Sequence, residues 1–335
     1  MIRNLLRGLL LLAAIGLALQ LISVRKAQAA LVCSFSMTNV NLGTVDPAAF
    51  GSSSNVFTTG TFSSSCTGGA AGQQILVCGS LFAGSGNAAT SGSPRYMLNG
   101  ATRLNYNLYQ NSNYATVWGG IAWRSNQISL QRVITLNASG AGSDNYTIYA
   151  RIFPNQTTVP PGTYSDSFSG TQSEIIYANY AGGSTQTACA TMAKTNLAQI
   201  AFSVTAILAS TCTVSATAAD FGAKTTLSNS STATNTISVR CGSGLSYTVG
   251  LSGGQANATN PMLRQMSNGA GSSITYGIYS NSIMTLPWGN TIGTDTVSGT
   301  GTGATQNIPA YLLIPSQTTP AAGTYSDTII VTVTY

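Results

Sequence analysis

The sequence predicts an all-β protein of two tandem immunoglobulin-like β-sandwich domains, of which the C-terminal one is incomplete because it lacks its last strand. Three observations lead to this prediction. Short segments of alternating apolar and polar residues recur along the chain, with turns rich in Gly, Ser, Asn and Pro between them. The 335 residues contain an internal repeat. The two copies of the repeat differ at their C-terminal ends.

The first element, residues 1–29, is predicted to be a signal peptide. Arg3 and Arg7 precede an apolar run that ends at a small-x-small cleavage pattern, Ala27-Gln-Ala29. The run is short for a membrane anchor, which needs about 20 apolar residues. Removing this leader leaves nine basic and seven acidic residues, a net charge of +2 instead of +6. The basic pI therefore gives no reason to expect a nucleic-acid partner.

The internal repeat divides the mature chain into an N-terminal domain, 30–209, and a C-terminal domain, 210–335. The matching segments are 33–43 with 212–222, 96–98 with 261–263, 104–109 with 274–279, and 154–166 with 315–327. Trp118-Gly119 and Trp288-Gly289 recur at the same offset. Two copies at this spacing indicate tandem domains and not a solenoid.

Strands of the second copy are predicted at 212–219, 234–241, 245–251, 274–280, 306–314 and 324–335. Six strands are one fewer than a seven-stranded immunoglobulin-like sandwich contains.

Six cysteines in an exported chain favour three disulfides over metal or redox chemistry. The repeat pairs the cysteines of the first two strands in each copy, and the two cysteines extra to the first copy are expected to pair with each other. The predicted disulfides are Cys33–Cys66, Cys212–Cys241 and Cys78–Cys189. A free reactive thiol at Cys189 is the alternative to the third.

The first copy continues after its Tyr-Ser-Asp motif into an alternating segment, 198–208, that would complete its own sandwich. The side chains on one face of this self-complementing strand are Ile200, Phe202, Val204, Ala206 and Leu208. The second copy has no such segment after its own Tyr-Ser-Asp motif.

The second copy ends instead in an alternating segment, 325–335. The side chains on one face of this terminal strand are Tyr325, Ile329, Val331, Val333 and Tyr335. The missing last strand is expected to leave a groove beside this terminal strand. Since each missing apolar side chain would stabilise the sandwich by about 1.5–3 kcal/mol, the groove is expected to accept a strand from another chain. Few residues separate the predicted cleavage site from Cys33, so the chain is expected to accept a strand and donate none.

These motifs resemble the spore coat protein U domain family, specifically in the second copy and more loosely in the first. A two-domain member without a donor segment resembles the CsuE-like tip adhesin of archaic chaperone–usher pili. The resemblance implies surface attachment and biofilm formation, and a fimbrium tip reached through the periplasm. The implied partners are a periplasmic pilus chaperone, an outer-membrane usher and an adjacent pilin. A secreted structural coat protein or a pilus shaft subunit is the alternative.

The resemblance also implies that loop tips of the first copy bind hydrophobic surfaces. The expected loops are 67–74, 111–144 and 178–196, at the pole far from the second copy. The candidate contact residues are Ala70, Ala71, Tyr114, Ile121, Trp123, Tyr180 and Met192. The alternative is that these side chains belong to the core, as Trp118 is expected to do because Trp288 repeats it.

No catalytic constellation or cofactor site is predicted. The chain contains no histidine, which excludes Ser-His-Asp and Cys-His arrangements and the common zinc sites. Asp166 and Asp327 recur in the repeat and are expected to be turn residues. The Gly-rich stretch 298–303 lacks the lysine of a phosphate loop and is expected to link two strands.

Overall fold

The computed structural model describes residues 30–47, 56–86, 94–120 and 128–335. The predicted signal peptide, 1–29, lies outside the described residues. Within the described part, no helix is long and apolar enough to cross a membrane. The fold is all-β, and its strands form separate sheets in the two sequence copies.

The first copy has two sheets packed over one core. Its strands are β1 Val32–Met37, β2 Val40–Val45, β3 Phe57–Thr67, β4 Gln74–Leu81, β5 Arg95–Asn99, β6 Thr102–Tyr109, β7 Leu130–Thr135, β8 Gly142–Ile152, β9 Gly162–Phe168, β10 Ser173–Asn179, β11 Leu197–Gln199 and β12 Phe202–Leu208. One sheet has the order β1-β3-β8-β6-β5-β9-β12-β2 and the other β11-β10-β4-β7. A short helix, α1, spans Thr185–Thr191.

The second copy repeats this plan with fewer strands. They are β13 Cys212–Ala216, β14 Ser231–Cys241, β15 Ser246–Leu251, β16 Arg264–Ser267, β17 Ser273–Tyr279, β18 Val297–Thr300, β19 Gln306–Ile314 and β20 Val331–Thr334. One sheet has the order β13-β14-β19-β17-β16 and the other β18-β15-β20.

A buried tryptophan joins the sheets in each copy. The Trp118 indole donates a hydrogen bond to the Gly79 carbonyl (2.9 Å), and the Trp288 indole donates to the Val249 carbonyl (2.8 Å). Both rings are fully buried, as expected of structural residues that the repeat retains. Because the two tryptophans make equivalent hydrogen bonds, Gly79 of β4 corresponds to Val249 of β15, and this fixes the alignment of the two strands.

All three disulfides that the sequence predicts are present: Cys33–Cys66, Cys78–Cys189 and Cys212–Cys241. The first and third join directly opposed residues of the first two strands in their copies. Cys189 therefore carries no free thiol.

Strand β12 completes the first copy from within. It pairs antiparallel with β9 and parallel with β2. The five side chains predicted to face the core are all buried: Ile200, Phe202, Val204, Ala206 and Leu208.

Two strands of the second copy escaped prediction. Strand β16 begins with Arg264, whose buried charge hides the apolar alternation. Strand β18 occupies the first half of the stretch 298–303, which was expected to be a linker. Its glycine has a packing reason, because a Cβ on Gly299 would lie 2.5 Å from the Tyr247 ring.

The terminal segment is not the single strand that the alternation predicts. Ser326 forms a bridge with Ser267 of one sheet, whereas β20 pairs with β15 of the other. Between them the chain crosses from sheet to sheet, and Ser252 donates its N–H to the Ile330 carbonyl (3.0 Å). The first copy makes the same crossing between β9 and β10, through a 3-10 turn at Gly170–Gln172.

The repeat register predicted for 96–98 is wrong. Arg95 is paired with Tyr106, and Arg264 is paired with Tyr276, so these two arginines are the equivalent residues. Met97 therefore corresponds to Met266, not to Met262. The common pattern is Arg-x-Met, which the sequence comparison overlooked.

Candidate functional site

The second copy is open where the first is filled by its own strand. Its larger sheet follows the order of the first copy strand by strand as far as β16, and then adds only the Ser326 bridge. Its smaller sheet ends at β20, at the edge where β11 lies beside β10 in the first copy. Both unfilled positions correspond to one continuous segment of the first copy, β11–β12. We call this gap the open edge.

One side of the open edge is the terminal segment. Ile329, Val331 and Val333 pack against the core of the second copy but stay partly exposed, and Tyr335 is 56% exposed. In the first copy the equivalents of Tyr325 and Ile329, namely Tyr164 and Phe168, are buried, and β12 is paired beside them. The terminal segment thus presents apolar surface that its counterpart does not.

The other side of the open edge follows β13. Ala219 and Phe221 are partly exposed, whereas the matching Val40 and Leu42 of β2 are buried. Residues 217–227 form no strand in the second copy, although β2 is a strand in the first. Because β2 pairs with β12, the absence of a partner strand explains why the second copy has no regular counterpart of β2.

The first copy shows which side chain would fill the centre of the open edge. The Phe202 ring of β12 stacks on Phe168 at 4.7 Å and lies parallel to Trp118 at 6.2 Å. The equivalent positions in the second copy are Ile329 and Trp288. They would receive an inserted apolar side chain in the same way.

The recurring aspartates are not turn residues. Asp166 lies in β9, fully buried, and accepts hydrogen bonds from the Tyr106 hydroxyl (2.6 Å), the Ser85 hydroxyl (3.0 Å) and the Gly86 N–H (2.9 Å). Burial raises the pKa of the Asp166 carboxyl, and these hydrogen bonds oppose the shift. Burial and the nearby Asp166 charge raise the pKa of Tyr106.

Asp327 makes the equivalent contacts at the open edge. It accepts hydrogen bonds from the Tyr276 hydroxyl (2.7 Å) and the Gln255 N–H (2.7 Å), but it is only partly buried. Burial raises the pKa of Tyr276, and its hydrogen bond to Asp327 adds to the shift. These tyrosine–aspartate pairs tie a loop to the strand at the edge and contain no nucleophile–base arrangement.

In each copy a buried arginine binds backbone carbonyls close to the point where the chain passes from one sheet to the other. The Arg264 guanidinium donates to the carbonyls of Leu251 (3.1 Å), Ser252 (2.8 Å), Pro261 (2.7 Å) and Trp288 (2.8 Å). Burial lowers its pKa. Arg95 donates to three equivalent carbonyls in the first copy, those of Leu81, Phe82 and Trp118. Sequence reasoning missed both residues.

Parts of the three loops predicted to form the pole lie together in the structure. The Gly72 N–H donates to the Leu136 carbonyl, and the Tyr180 N–H donates to the Gln74 carbonyl, each at 2.8 Å. Three loops therefore meet at one end of the first copy. Ala70 and Ala71 are exposed there, and none of the large exposed apolar side chains among the described residues lies in 67–73, 136–141 or 180–196.

Tyr180 and Met192 are only partly exposed. They pack against a small outer cluster formed by Leu76, Ile176 and the Cys78–Cys189 disulfide beneath α1. The second copy has Ser246, Thr334 and Thr248 at the positions of Leu76, Ile176 and Cys78. This covered outer face is therefore specific to the first copy.

Of the other three candidates, Tyr114 does not lie at the pole. Ile121 and Trp123 lie outside the described residues. Tyr114 lies against Phe57, at the other end of β3 from the pole, about 30 Å of strand away. The predicted loop 111–144 is interrupted by β7, which pairs with β4.

Comparisons with known proteins agree with this architecture. The family model of the spore coat protein U domain matches residues 18–171 and 198–332. No curated protein matches the chain.

A solved structure of a tip adhesin subunit shares the fold. The complex of chaperone CsuC with tip subunit CsuE, from archaic chaperone–usher Csu pili of Acinetobacter baumannii, matches at 17% identity and a TM-score of 0.51. The match covers 91% of this chain and 100% of that one. The CupB6 tip adhesin of Pseudomonas aeruginosa matches at 14% identity and a TM-score of 0.41, over 92% of this chain and 94% of that one.

Proposed function

The chain belongs to the spore coat protein U family, and on that premise we propose that it is the tip adhesin subunit of a Csu-type chaperone–usher pilus. Its fold is that of a chaperone–usher pilus subunit or adhesin. The observation that carries the proposal is the open edge of the second copy, beside a first copy that fills the same position with β11–β12.

The second copy, 210–335, would serve as the pilin domain and accept a donor strand from the adjacent pilin. The required strand has alternating apolar side chains, as β12 does, because it must pair with the Tyr325 side of the edge and fill the space above Ile329 and Trp288. Before assembly a periplasmic chaperone would occupy this edge, since an exposed apolar edge promotes aggregation. An outer-membrane usher would exchange the chaperone for the pilin.

The first copy, 30–209, would serve as the adhesin domain at the fimbrium tip. Because β12 is its own strand, this copy already fills the position that is open in the second copy and needs no donor there, which agrees with a terminal position. We propose that its pole contacts hydrophobic surfaces during attachment and biofilm formation. Of the candidate contact residues, Ala70 and Ala71 are exposed there, and Ile121 and Trp123 are further candidates. No enzymatic activity is part of this proposal.

Expression with and without a pilus chaperone tests the strand-accepting role. The full chain should be soluble in the periplasm only with the chaperone. A copy of residues 197–208 linked after Tyr335 should remove that requirement, whereas the same graft with serine at its five core-facing positions should not. If the unmodified chain stays monomeric and protected at β20 without a partner, the second copy needs no donor.

Immunogold labelling of fibres distinguishes the tip adhesin from a shaft subunit or a coat protein. Label at fibre ends alone supports the tip role. Label along the fibre indicates a shaft subunit, and label on the cell or spore surface without fibres indicates a coat protein.

A further inference from the structure

The first copy carries an aromatic platform on the outer face of its large sheet, at the end of β3 opposite the pole. The platform consists of Phe57, Tyr109, Tyr114, Tyr149 and Arg151. Adjacent strands supply its base, since Phe57 of β3 is opposite Arg151 of β8, and Tyr149 of β8 is opposite Tyr109 of β6.

Tyr114 lies at the centre of the platform. Its ring centroid is 5.3 Å from that of Tyr109, and 6.3 Å from those of Phe57 and Tyr149. It occupies a turn at φ 56°, a left-handed conformation that is uncommon for an aromatic residue. The side-chain Oδ1 of Asn111 fixes the turn by accepting hydrogen bonds from the N–H groups of Ala115 (3.0 Å) and Thr116 (3.2 Å).

The platform combines exposed ring surface with one cation, Arg151, that has no acidic partner among the described residues. Phe57 is 61% exposed, and Tyr114, Tyr149 and Arg151 are partly exposed. The Arg151 guanidinium lies 5.5 Å from the Tyr114 ring centre. Among the described residues, neither ion pair involves Arg151, and its guanidinium makes no hydrogen bond to them. Its donors therefore remain free for an anion.

The second copy shows that the fold does not require this platform. It keeps the turn, with Met284 at φ 56°, and the opposed tyrosines Tyr279 and Tyr311. The positions of Phe57 and Arg151 are taken by Thr232 and Leu313, which are likewise opposed. Only the copy proposed to be the adhesin has the extra rings and the cation.

We propose that the platform binds a carboxylated sugar, such as a uronic acid residue of an acidic polysaccharide. The negative face of an aromatic ring attracts the weakly positive C–H groups of a sugar ring, and a guanidinium binds a carboxylate in a bidentate manner. The platform presents both at once. This site is separate from the pole, and it does not depend on strand acceptance in the second copy.

Binding to tetragalacturonate and to a glucuronate-containing hyaluronan tetrasaccharide tests the proposal. Calorimetry should use the full chain, in complex with a pilus chaperone if it requires one. The methyl ester of tetragalacturonate is the matched neutral probe. Wild type should bind at least one acidic probe, and the ester should bind at least about tenfold more weakly than tetragalacturonate if that is the probe bound.

Three variants that introduce the second copy's residues separate the contributions. Arg151→Leu should weaken binding of the acidic probe at least about tenfold and abolish discrimination against the ester. Tyr114→Met and Phe57→Thr should weaken binding of acid and ester alike. Tyr96→Gln, which also introduces the second copy's residue at an aromatic position on β5, should leave binding unchanged.

Thermal unfolding separates lost binding from lost folding, and each introduced residue already supports the same strand or turn in the second copy. Failure of wild type to bind either acidic probe overturns the proposal. So does binding that all three platform variants leave intact. Equal affinity for acid and ester would reject the carboxylate contact.

Discussion

Replacing Phe202 with alanine should destabilise the first copy much more than any change on the outer face of the same strand. Phe202 is buried, and its ring stacks on Phe168 and lies parallel to Trp118. Removing a buried phenylalanine side chain costs about 3–5 kcal/mol. The loss should fall in the upper part of this range, because two ring contacts disappear with it.

The matched control is Ile207→Ala on the same strand. Ile207 is 46% exposed, so its truncation should change the free energy of unfolding by about 0.5 kcal/mol or less. The two substitutions remove apolar side chains five residues apart and differ mainly in which face of β12 they affect.

Amide hydrogen exchange on the full chain resolves the two copies separately. The slowest amides of β9 and β2 should exchange about 10²–10⁴-fold faster in Phe202→Ala, since 1.36 kcal/mol corresponds to a factor of ten. Exchange in β14 and β19 of the second copy should stay unchanged. Equal effects of Phe202→Ala and Ile207→Ala would refute the claim that β12 completes the first copy.

Three further predictions concern the buried polar groups and the extra disulfide. Because burial raises the pKa of Asp166 in the folded state, its contribution to stability should be greatest below about pH 4 and should be lost as pH rises through the folded-state pKa. Asp166→Asn should abolish that pH dependence of the free energy of unfolding, measured by urea titrations at several pH values. The same pH dependence in wild type and Asp166→Asn would contradict the assignment of this effect to Asp166. Arg264→Met leaves four carbonyl acceptors without their donor and should destabilise the second copy by at least about 3 kcal/mol. Hydrogen exchange in β17 that matches wild type would refute this. Replacing Cys78 and Cys189 together with alanine opens a 111-residue separation and should cost about 4–5 kcal/mol. Calorimetric melting should show the loss, and an unchanged first-copy transition would contradict it.

The repeat made most of the architecture predictable. Paired cysteines and tryptophans placed the strands of both copies in corresponding positions, and alternation identified the segment 198–208, which contains β12 and the five buried side chains. What alternation could not show was where a strand changes sheet. The terminal segment keeps one apolar face while it crosses between sheets near Ile329, so the pattern stays regular where the pairing does not.

The errors arose where a charged side chain is buried or where a loop folds back onto the sheet. Arg264 is polar by type and buried in fact, which concealed β16. Asp166 occurs in a motif that resembles a turn, yet it is a buried acceptor within β9. Tyr114 was expected at the pole because it lies in a long interstrand segment. The left-handed turn that brings it onto the sheet depends on Asn111, and the sequence alone does not reveal that fold-back.

The central claim is that the open edge of the second copy receives a strand from another chain. A photocrosslinking amino acid at Val331, in intact fibres, tests it most directly, with the exposed position Thr232 on β14 as control. The account predicts a crosslink to one neighbouring subunit, mapped by mass spectrometry to a segment with alternating apolar residues, and no such crosslink from the control. Crosslinks confined to this chain, or equal crosslinking from both positions, would contradict it.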